Sequence, residues 1–419
     1  LASYDKAIQI KSDNVDAYNN RGIVLNEIKY YEEALVSYDK AIQINPNYTY
    51  AYNNKGNTLK DLKRYEEALA SYDKAIKINP NFVDAYNNKG NALKDLQRYD
   101  EALASYEKVA KLKLDFDYIL GKVLHTKLTL CNWNDFETLS KKISKALNKN
   151  SKVIEPFFFL GLIDNPAFSR LTSEIYVKDK ISKPSETQKL VKYNNHKKPR
   201  IGYFSADFCD HAVLHLMMDV FRNHNKSYFD FYGFSFGPDK NDKWRNEVKN
   251  YFIKFEDVSK ISDREVADLS QKLEIDIAID LTAFTSNSRS GIFSYRAAPI
   301  QVNYLGYPGT MGTEYMDYII ADEVIIPKEN FDYYSEKVLY LPNCYQANIC
   351  QKDISKKELK RSDFGLPDNA FVYCSFNNNY KITPHIFDIW MNILKKVPKS
   401  VLWILESNET ASKNLKKES

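Results

Sequence analysis

Ala17-Tyr18-Asn19-Asn20 returns as Ala51-Tyr52-Asn53-Asn54 and again as Ala85-Tyr86-Asn87-Asn88, a step of 34 residues. Gly22, Gly56 and Gly90 keep that step, as do Tyr31, Tyr65 and Tyr99 with Ala34, Ala68 and Ala102. Tyr4, Tyr38, Tyr72 and Tyr106 continue it, and Pro46 and Pro80 punctuate the ends. Small residues suit places where two helices cross, and tyrosines suit the seams between them. Each helix pair has an apolar face that it cannot bury alone, so neighbours are expected to stack into a superhelix with a concave inner surface.

Such a period, with a tyrosine opening the second helix and a proline at the end, is the tetratricopeptide pattern. It predicts an all-helical arm over residues 1–112 that holds another polypeptide. The inner helices carry paired amides, of which Asn20, Asn54 and Asn88 recur in step. Amides that only solvate the groove are one reading. The other is a ladder, because an amide both donates to and accepts from a guest backbone.

At 419 residues the chain exceeds one compact core, and two or three domains are expected. The 59 basic residues against 55 acidic leave a net charge of only +4, which gives no electrostatic case for nucleic acid or membrane as a partner. Five scattered cysteines without a zinc-like spacing read as reduced thiols of a cytoplasmic protein. No apolar run approaches the roughly 18–20 residues of a membrane span, and no signal peptide is evident. The chain opens inside a repeat, so a true N-terminus is expected upstream.

From about Lys111 the step fades. Residues 113–199 read as a helical connector, with apolar spacing over Ile119–Leu130 and Phe136–Leu147, and then a polar, lysine-rich linker over Ser182–Arg200. Beyond it short apolar runs alternate with helical stretches. Strands are predicted at Ile201–Ser205, Phe229–Phe236, Asp276–Leu281, Ile300–Leu305, Tyr318–Ala321 and Lys337–Leu341. A second set starts with Phe371–Phe376 and Val401–Leu405. This is the rhythm of α/β sheets, divided into one lobe over 200–350 and the start of another over 351–419.

Ligands of open α/β sheets bind beyond the carboxyl ends of the strands, so the following loops are the candidates. Ser205–His215 places His211 and His215 four residues apart, without the further ligand that an HExxH-type metal site needs. Asp280 either orients a group or caps a turn. Leu305–Gly312 has three glycines and a proline, with Thr310 among them, and is either a tight turn or a close approach to an anion or sugar. Phe376–Pro384 offers Lys381 beside a helix start, with Thr383 as cap and Pro384 in the first turn, a natural pyrophosphate site. The absence of Walker, GxGxxG and Gly-x-Ser-x-Gly patterns argues against nucleotide hydrolysis, dinucleotide redox and esterase chemistry.

Arg200–Phe208, Ala298–Gly312, Met316–Asp322, Tyr334–Lys337 and Phe376–Pro384, following such repeats, together resemble the protein O-GlcNAc transferases, specifically bacterial members of that SPINDLY-like family. The resemblance implies two facing Rossmann-like lobes of a GT-B-type glycosyltransferase. It implies inverting, metal-independent transfer of N-acetylglucosamine from UDP-GlcNAc to Ser/Thr hydroxyls of proteins held by the arm, with no cofactor. By position it makes His211 the active-site histidine and Lys381 the contact to the UDP diphosphate. Asn378 becomes a donor-binding amide, Gly306, Pro308, Gly309 and Thr310 a cleft-lining loop, and Asn20, Asn54 and Asn88 the peptide ladder.

Three departures stand out. Ala283 replaces the family's usual glycine, and Ile349-Cys350 replaces an acidic continuation. The chain also ends at Ser419, early in the second lobe, so that lobe is expected to be truncated and to expose an edge and an apolar face. Two alternatives remain open: a non-catalytic repeat adaptor, and a related protein O-fucosyltransferase using GDP-fucose.

Overall fold

The computed structural model describes residues 1–181, 193, 196–238, 240–348 and 355–419. Most of the expected linker, and Ile349 and Cys350, lie outside these residues. One compact unit joins Leu1–Ile143 to Arg361–Ser419, and the other is Ser144–Lys360.

The repeats are helices α1 (Ala2–Ile10), α2 (Val15–Glu27), α3 (Tyr31–Ile44), α4 (Thr49–Asp61), α5 (Tyr65–Ile78), α6 (Val83–Asp95) and α7 (Tyr99–Leu112). The sequence period has a direct steric cause. A Cβ on Gly22, Gly56 or Gly90 would stand 2.5 Å from the ring of Tyr38, Tyr72 or Tyr106 respectively, so the two helices of a pair meet backbone against aromatic face. Ala34, Ala68 and Ala102, each fully buried, permit the same closeness on the partner helix. Between helices the chain turns through left-handed residues at the same step, Lys29, Lys63 and Gln97, with φ of 65°, 60° and 60°.

The stacking continues past the point where the repeat sequence fades. Helix α8 (Ile119–Thr129) packs on α7, and Lys122 occupies the position one step after Asn88. Helix α9 (Phe136–Leu147) follows it.

The second unit holds α10 (Pro156–Leu160), α11 (Pro166–Lys180) and a seven-stranded parallel sheet. Its strands are β1 (Arg200–Ser205), β2 (Asp230–Ser235), β3 (Lys254–Asp257), β4 (Ile277–Asp280), β5 (Ile300–Asn303), β6 (Tyr318–Ala321) and β7 (Lys337–Tyr340), in the order β3-β2-β1-β4-β5-β6-β7. Helices α12 (Ala212–Arg222), α13 (Lys243–Val248), α14 (Asp263–Lys272) and the short α15 (Gly291–Ser294) connect them. Two apolar clusters form, one around Phe204, Phe234 and Phe293, the other around Tyr203, Phe221 and Phe252. Alternate residues of β1 thus feed different clusters, as the period of a strand buried on both faces requires. The strand missing from the sequence reading is β3: Lys254-Phe-Glu-Asp257 has three charged residues in four and survives as a strand because it is a sheet edge.

The first unit also takes up the start of the second lobe. Strands β8 (Phe371–Ser375) and β9 (Ser400–Ile404) pair in parallel, joined by α16 (Pro384–Lys396) and followed by α17 (Glu409–Glu418). As the sequence predicts, Thr383 caps α16, its hydroxyl accepting from Ile386 N–H at 3.4 Å, and Pro384 opens the helix. Phe371, Phe376, Ile389 and Leu405 remain exposed on this small sheet and its helix. No helix among the described residues is long and apolar enough to cross a membrane.

The Gly–Tyr contact predicts a counter-intuitive result for Gly56→Ala. Alanine gains about 1 kcal/mol of helix propensity, but its methyl meets the fully buried Tyr72 ring at 2.5 Å, and overpacking of this kind costs about 1–3 kcal/mol. Net destabilisation of the repeats is expected, measured as a lowered midpoint of helical circular dichroism on denaturation.

Candidate active site

Strand order reverses between β1 and β4, and the loops leaving these two strands define the crevice where such sheets bind ligands. The two loops are bonded to each other, because Ala206 N–H donates to Thr282 Oγ1 at 3.0 Å. Asp280, at the end of β4, accepts from Thr282 and Ala283 N–H at 2.9 Å each through Oδ1, so it caps the turn. Its Oδ2 is buried without a partner. Burial, opposed only by those two N–H groups, pushes its pKa up to about 6. Ala283 sits at φ 45° and is buried; glycine would adopt this conformation without strain, but its Cβ here contributes to the apolar cluster.

His211 caps α12 from an extended conformation, φ −151° and ψ 151°, so it does not share a helical face with His215. Its Nδ1 lies 3.3 Å from Val213 N–H and 3.6 Å from Asp207 Oδ1. A neutral ring that accepts the first bond keeps its proton on Nε2, whereas a ring carrying a proton on Nδ1 can face only Asp207 as donor. Burial raises the Asp207 pKa, with His211 and Lys240 opposing. His215 turns elsewhere, its Nε2 2.7 Å from Asp210 Oδ1 and its ring edge-on to Trp244. The segment is tied to Arg245, which is 2% exposed and donates to the Phe208 carbonyl at 3.4 Å, Ser235 Oγ at 2.6 Å and Asp257 Oδ2 at 2.8 Å.

The Gly306–Gly312 loop lies at the end of β5, next to β4. A Cβ on Gly306 would stand 2.2 Å from the Leu281 carbonyl oxygen, so the glycine is a requirement of close backbone approach. Asn303 Nδ2 donates to the carbonyls of Tyr307 and Gly309 at 3.0 and 3.2 Å. Thr310 is 1% exposed, and its hydroxyl donates inward to Glu336 Oε2 at 2.7 Å, while Met311 N–H reaches Oε1 at 2.6 Å. Pro308 and Gly306 keep partial exposure. Glu336 lay within a quoted motif, yet only its sequence-distant partners reveal that it carries this loop.

Asn378 and Lys381 belong to the first unit, at either end of a single 3-10 turn over Asn379–Lys381, and both side chains are exposed. The ladder asparagines are in the same unit and are already bonded to one another. Lys122 Nζ donates to Asn87 Oδ1 at 2.8 Å, Asn87 to Asn88 at 3.2 Å, and Asn88 to Asn53 at 3.0 Å. Asn53 continues to Asn54 at 3.3 Å, Asn54 to Asn19 at 3.0 Å, and Asn19 to Asn20 at 3.3 Å. The result is a head-to-tail amide chain started by a cation. Within this chain Asn54 and Asn88 each use one N–H and one lone pair, which leaves one of each.

Against known proteins, the glycosyl transferase family 41 pattern matches residues 175–354 and 347–419, more than half of the chain. The chain belongs to glycosyl transferase family 41. Tetratricopeptide patterns match this family 41 chain at residues 15–48, 37–70, 56–97 and 83–116. A probable UDP-N-acetylglucosamine–peptide N-acetylglucosaminyltransferase SEC of Arabidopsis thaliana is 33% identical over 68% of this chain and 31% of its own length. The UDP-N-acetylglucosamine–peptide N-acetylglucosaminyltransferase of Caenorhabditis elegans is 26% identical over 69% of this chain and 36% of its own. The matched stretches therefore span about a third of these curated relatives. A solved Thermobaculum terrenum O-GlcNAc transferase mutant shares the fold, with a TM-score of 0.60 and 19% identity over 96% of this chain and 71% of that one.

Within the family 41 chain, His211 and the Gly306–Thr310 loop occupy one unit, while Asn378, Lys381 and the ladder occupy the other. Sequence reading missed Lys122 as the start of the amide chain, although its place one 34-residue step after Asn88 was countable.

Asp280 gives the second unit a testable pH signature. Its folded pKa of about 6 exceeds the usual carboxylate value, so the folded state binds the proton first. Stability from this group therefore rises as pH falls from 7 to 5, by roughly 1 kcal/mol, and is lost as pH climbs through 6. Asp280→Asn keeps the Oδ1 acceptor and should remove that increment. Denaturant titrations of both proteins at pH 5 and 7 measure the difference.

Proposed function

We propose that this chain is the acceptor-holding arm and the catalytic start of a protein O-GlcNAc transferase. It moves N-acetylglucosamine from UDP-GlcNAc to Ser/Thr hydroxyls with inversion and without a metal. The observation that carries the reading is the family 41 match over 175–419 behind an array of tetratricopeptide repeats. The named activity of the Arabidopsis and nematode relatives supports the sugar and the acceptor class.

In this reading Lys381 and the N-terminus of α16 meet the negative charge that develops on the departing UDP, where fixed donors are worth most. Asn378 binds the donor beside it. His211 stands at the acceptor hydroxyl, its Nε2 free of the cap that engages Nδ1. Gly306, Pro308, Gly309 and Thr310 shape the wall near sugar and acceptor; Thr310 does so from its bond to Glu336, as a fixed element of the loop. Asn20, Asn54 and Asn88 hold the guest backbone with the donors and lone pairs that the amide chain leaves open.

The direct test incubates the chain with UDP-GlcNAc and candidate acceptor proteins and reads hexosamine addition to Ser/Thr by mass spectrometry. Acceptor binding without any transfer favours the adaptor; fucose transfer from GDP-fucose instead of GlcNAc overturns the sugar assignment. Lys381→Ala is expected to lower kcat on the order of 100-fold while acceptor binding holds. Equal loss of both would mark a folding defect. Replacing Asn20, Asn54 and Asn88 together should raise the acceptor KM for long protein substrates and spare short peptides; unchanged selectivity would remove the ladder from the mechanism.

A further inference from the structure

Helix α8 lies outside the residues matched by the family 41 pattern, yet it forms a wall against the turn that carries Asn378 and Lys381. The His125 ring is 4.9 Å from that of Tyr380, tilted by 37°. Just past the helix, Trp133 Nε1 donates to the Ile382 carbonyl at 3.1 Å, and the indole meets the Phe387 ring of α16 at 5.2 Å. Ile382 is 1% exposed, so water cannot replace the indole as donor to that carbonyl. Ser407 Oγ also donates to Oδ1 of the buried Asn379 at 3.2 Å.

The end of α8 is fixed as well. Asn408 Nδ2 donates to the Thr129 carbonyl at 3.0 Å and Asn414 Nδ2 to that of Leu130 at 2.8 Å, which satisfies groups a helix end leaves open. Burial pushes the His125 pKa down to about 3, so the ring stays neutral and adds no charge near Lys381. A three-residue 3-10 turn has too few internal bonds to set its own orientation. Its direction comes from the connector and from Ser407.

Resting on the donor reading above, we propose that His125 and Trp133 are positioning residues for the donor diphosphate, making the connector between repeats and family region a working part of the donor half-site. A lysine ammonium on a long flexible stem is an effective phosphate partner only when its backbone is held. His125 meets Tyr380 and Trp133 meets Ile382, the residues on either side of Lys381 in the chain. Helix α8 also bears Lys122, the origin of the amide chain, so one helix is bonded to the acceptor ladder and in ring contact with the donor turn.

Hydrogen exchange and UDP titration of the 419-residue chain test this together. In wild type the Lys381 and Ile382 amides are bonded to the Asn378 and Asn379 carbonyls at 3.0 and 2.9 Å, so their protection is measurable. Trp133→Phe keeps a ring against Phe387 and removes the donor together with part of the indole's volume. It is expected to speed exchange of these two amides on the order of tenfold and to raise the UDP Kd by a similar factor, with β8 and the repeats unchanged. His125→Ala should act alike, and His125→Phe, which keeps the ring contact, should restore both readouts. Unchanged exchange at the turn, a loosened turn with unchanged UDP affinity, or a uniform rise through β8 and α16 would each overturn the proposal. Absence of UDP binding by wild type counts against the donor reading itself, and exchange in the His125→Ala and His125→Phe pair then decides the positioning claim alone.

Discussion

The contact of a tyrosine ring with a helical glycine sets the geometry on which the first unit depends. With the Cβ absent at Gly22, Gly56 and Gly90, rings 16 residues later lie flat on the backbone of the neighbouring helix. The same separation is thereby imposed at every pair, and a constant separation gives a constant superhelical step. Only a constant step brings amides 35 residues apart to about 3 Å twice in succession, as in Asn54 to Asn19 and Asn88 to Asn53. The polar chain along the groove is thus a product of packing on its back. Lys122 then extends it onto α8, where Lys122 and Leu124 stand at the periodic asparagine and glycine positions.

In the second unit a different constraint does comparable work: carboxylates are buried beneath the loops at the strand ends. Glu336 fixes the Thr310–Met311 segment and Asp280 fixes the turn after β4. Burial raises both pKa values, but the two are not equivalent. Glu336 has donors on both oxygens, whereas Asp280 keeps Oδ2 unpaired. A group that is half satisfied in a low-dielectric setting carries most of the desolvation cost. The crevice between β1 and β4 is consequently ordered at an energetic cost to the lobe, a cost located in one oxygen.

What the sequence made legible was whatever repeats or alternates locally. The 34-residue step, the strand runs other than β3, and the cap at Thr383 are all written in neighbouring residues. Strand β3 was invisible because Lys254, Glu256 and Asp257 obey the needs of a sheet edge and not an apolar alternation. The inward turn of Thr310 was invisible because its partner lies 26 residues away with no periodic relation. The same holds for Trp133 and Ile382, 249 residues apart, whose contact exists only because the second lobe begins by docking onto the connector. Motif resemblance carried the names of candidate residues, but it could not reveal which side chains hold them, whether Glu336 in another motif or His125 and Trp133 outside any.

The amide chain also limits what the groove can select. Asn54 and Asn88 offer a guest the same residual capacity, one N–H and one lone pair, and that capacity addresses backbone. The positions beside them vary little and are occupied: Arg21, Lys55 and Lys89 are paired with Asp5, Asp39 and Asp73. Three residues further along, Asn57 and Asn91 accept from the Tyr72 and Tyr106 hydroxyls at 2.9 Å, and Asn91 also from Lys122, so they are engaged as well. A line of nearly identical, backbone-directed contacts discriminates extended chain from folded surface, but not one side chain from another. Under the proposed function, preference among acceptor residues therefore has to arise where the surface stops repeating, at Lys122 and beyond, or in the loops at the ends of β1, β4 and β5.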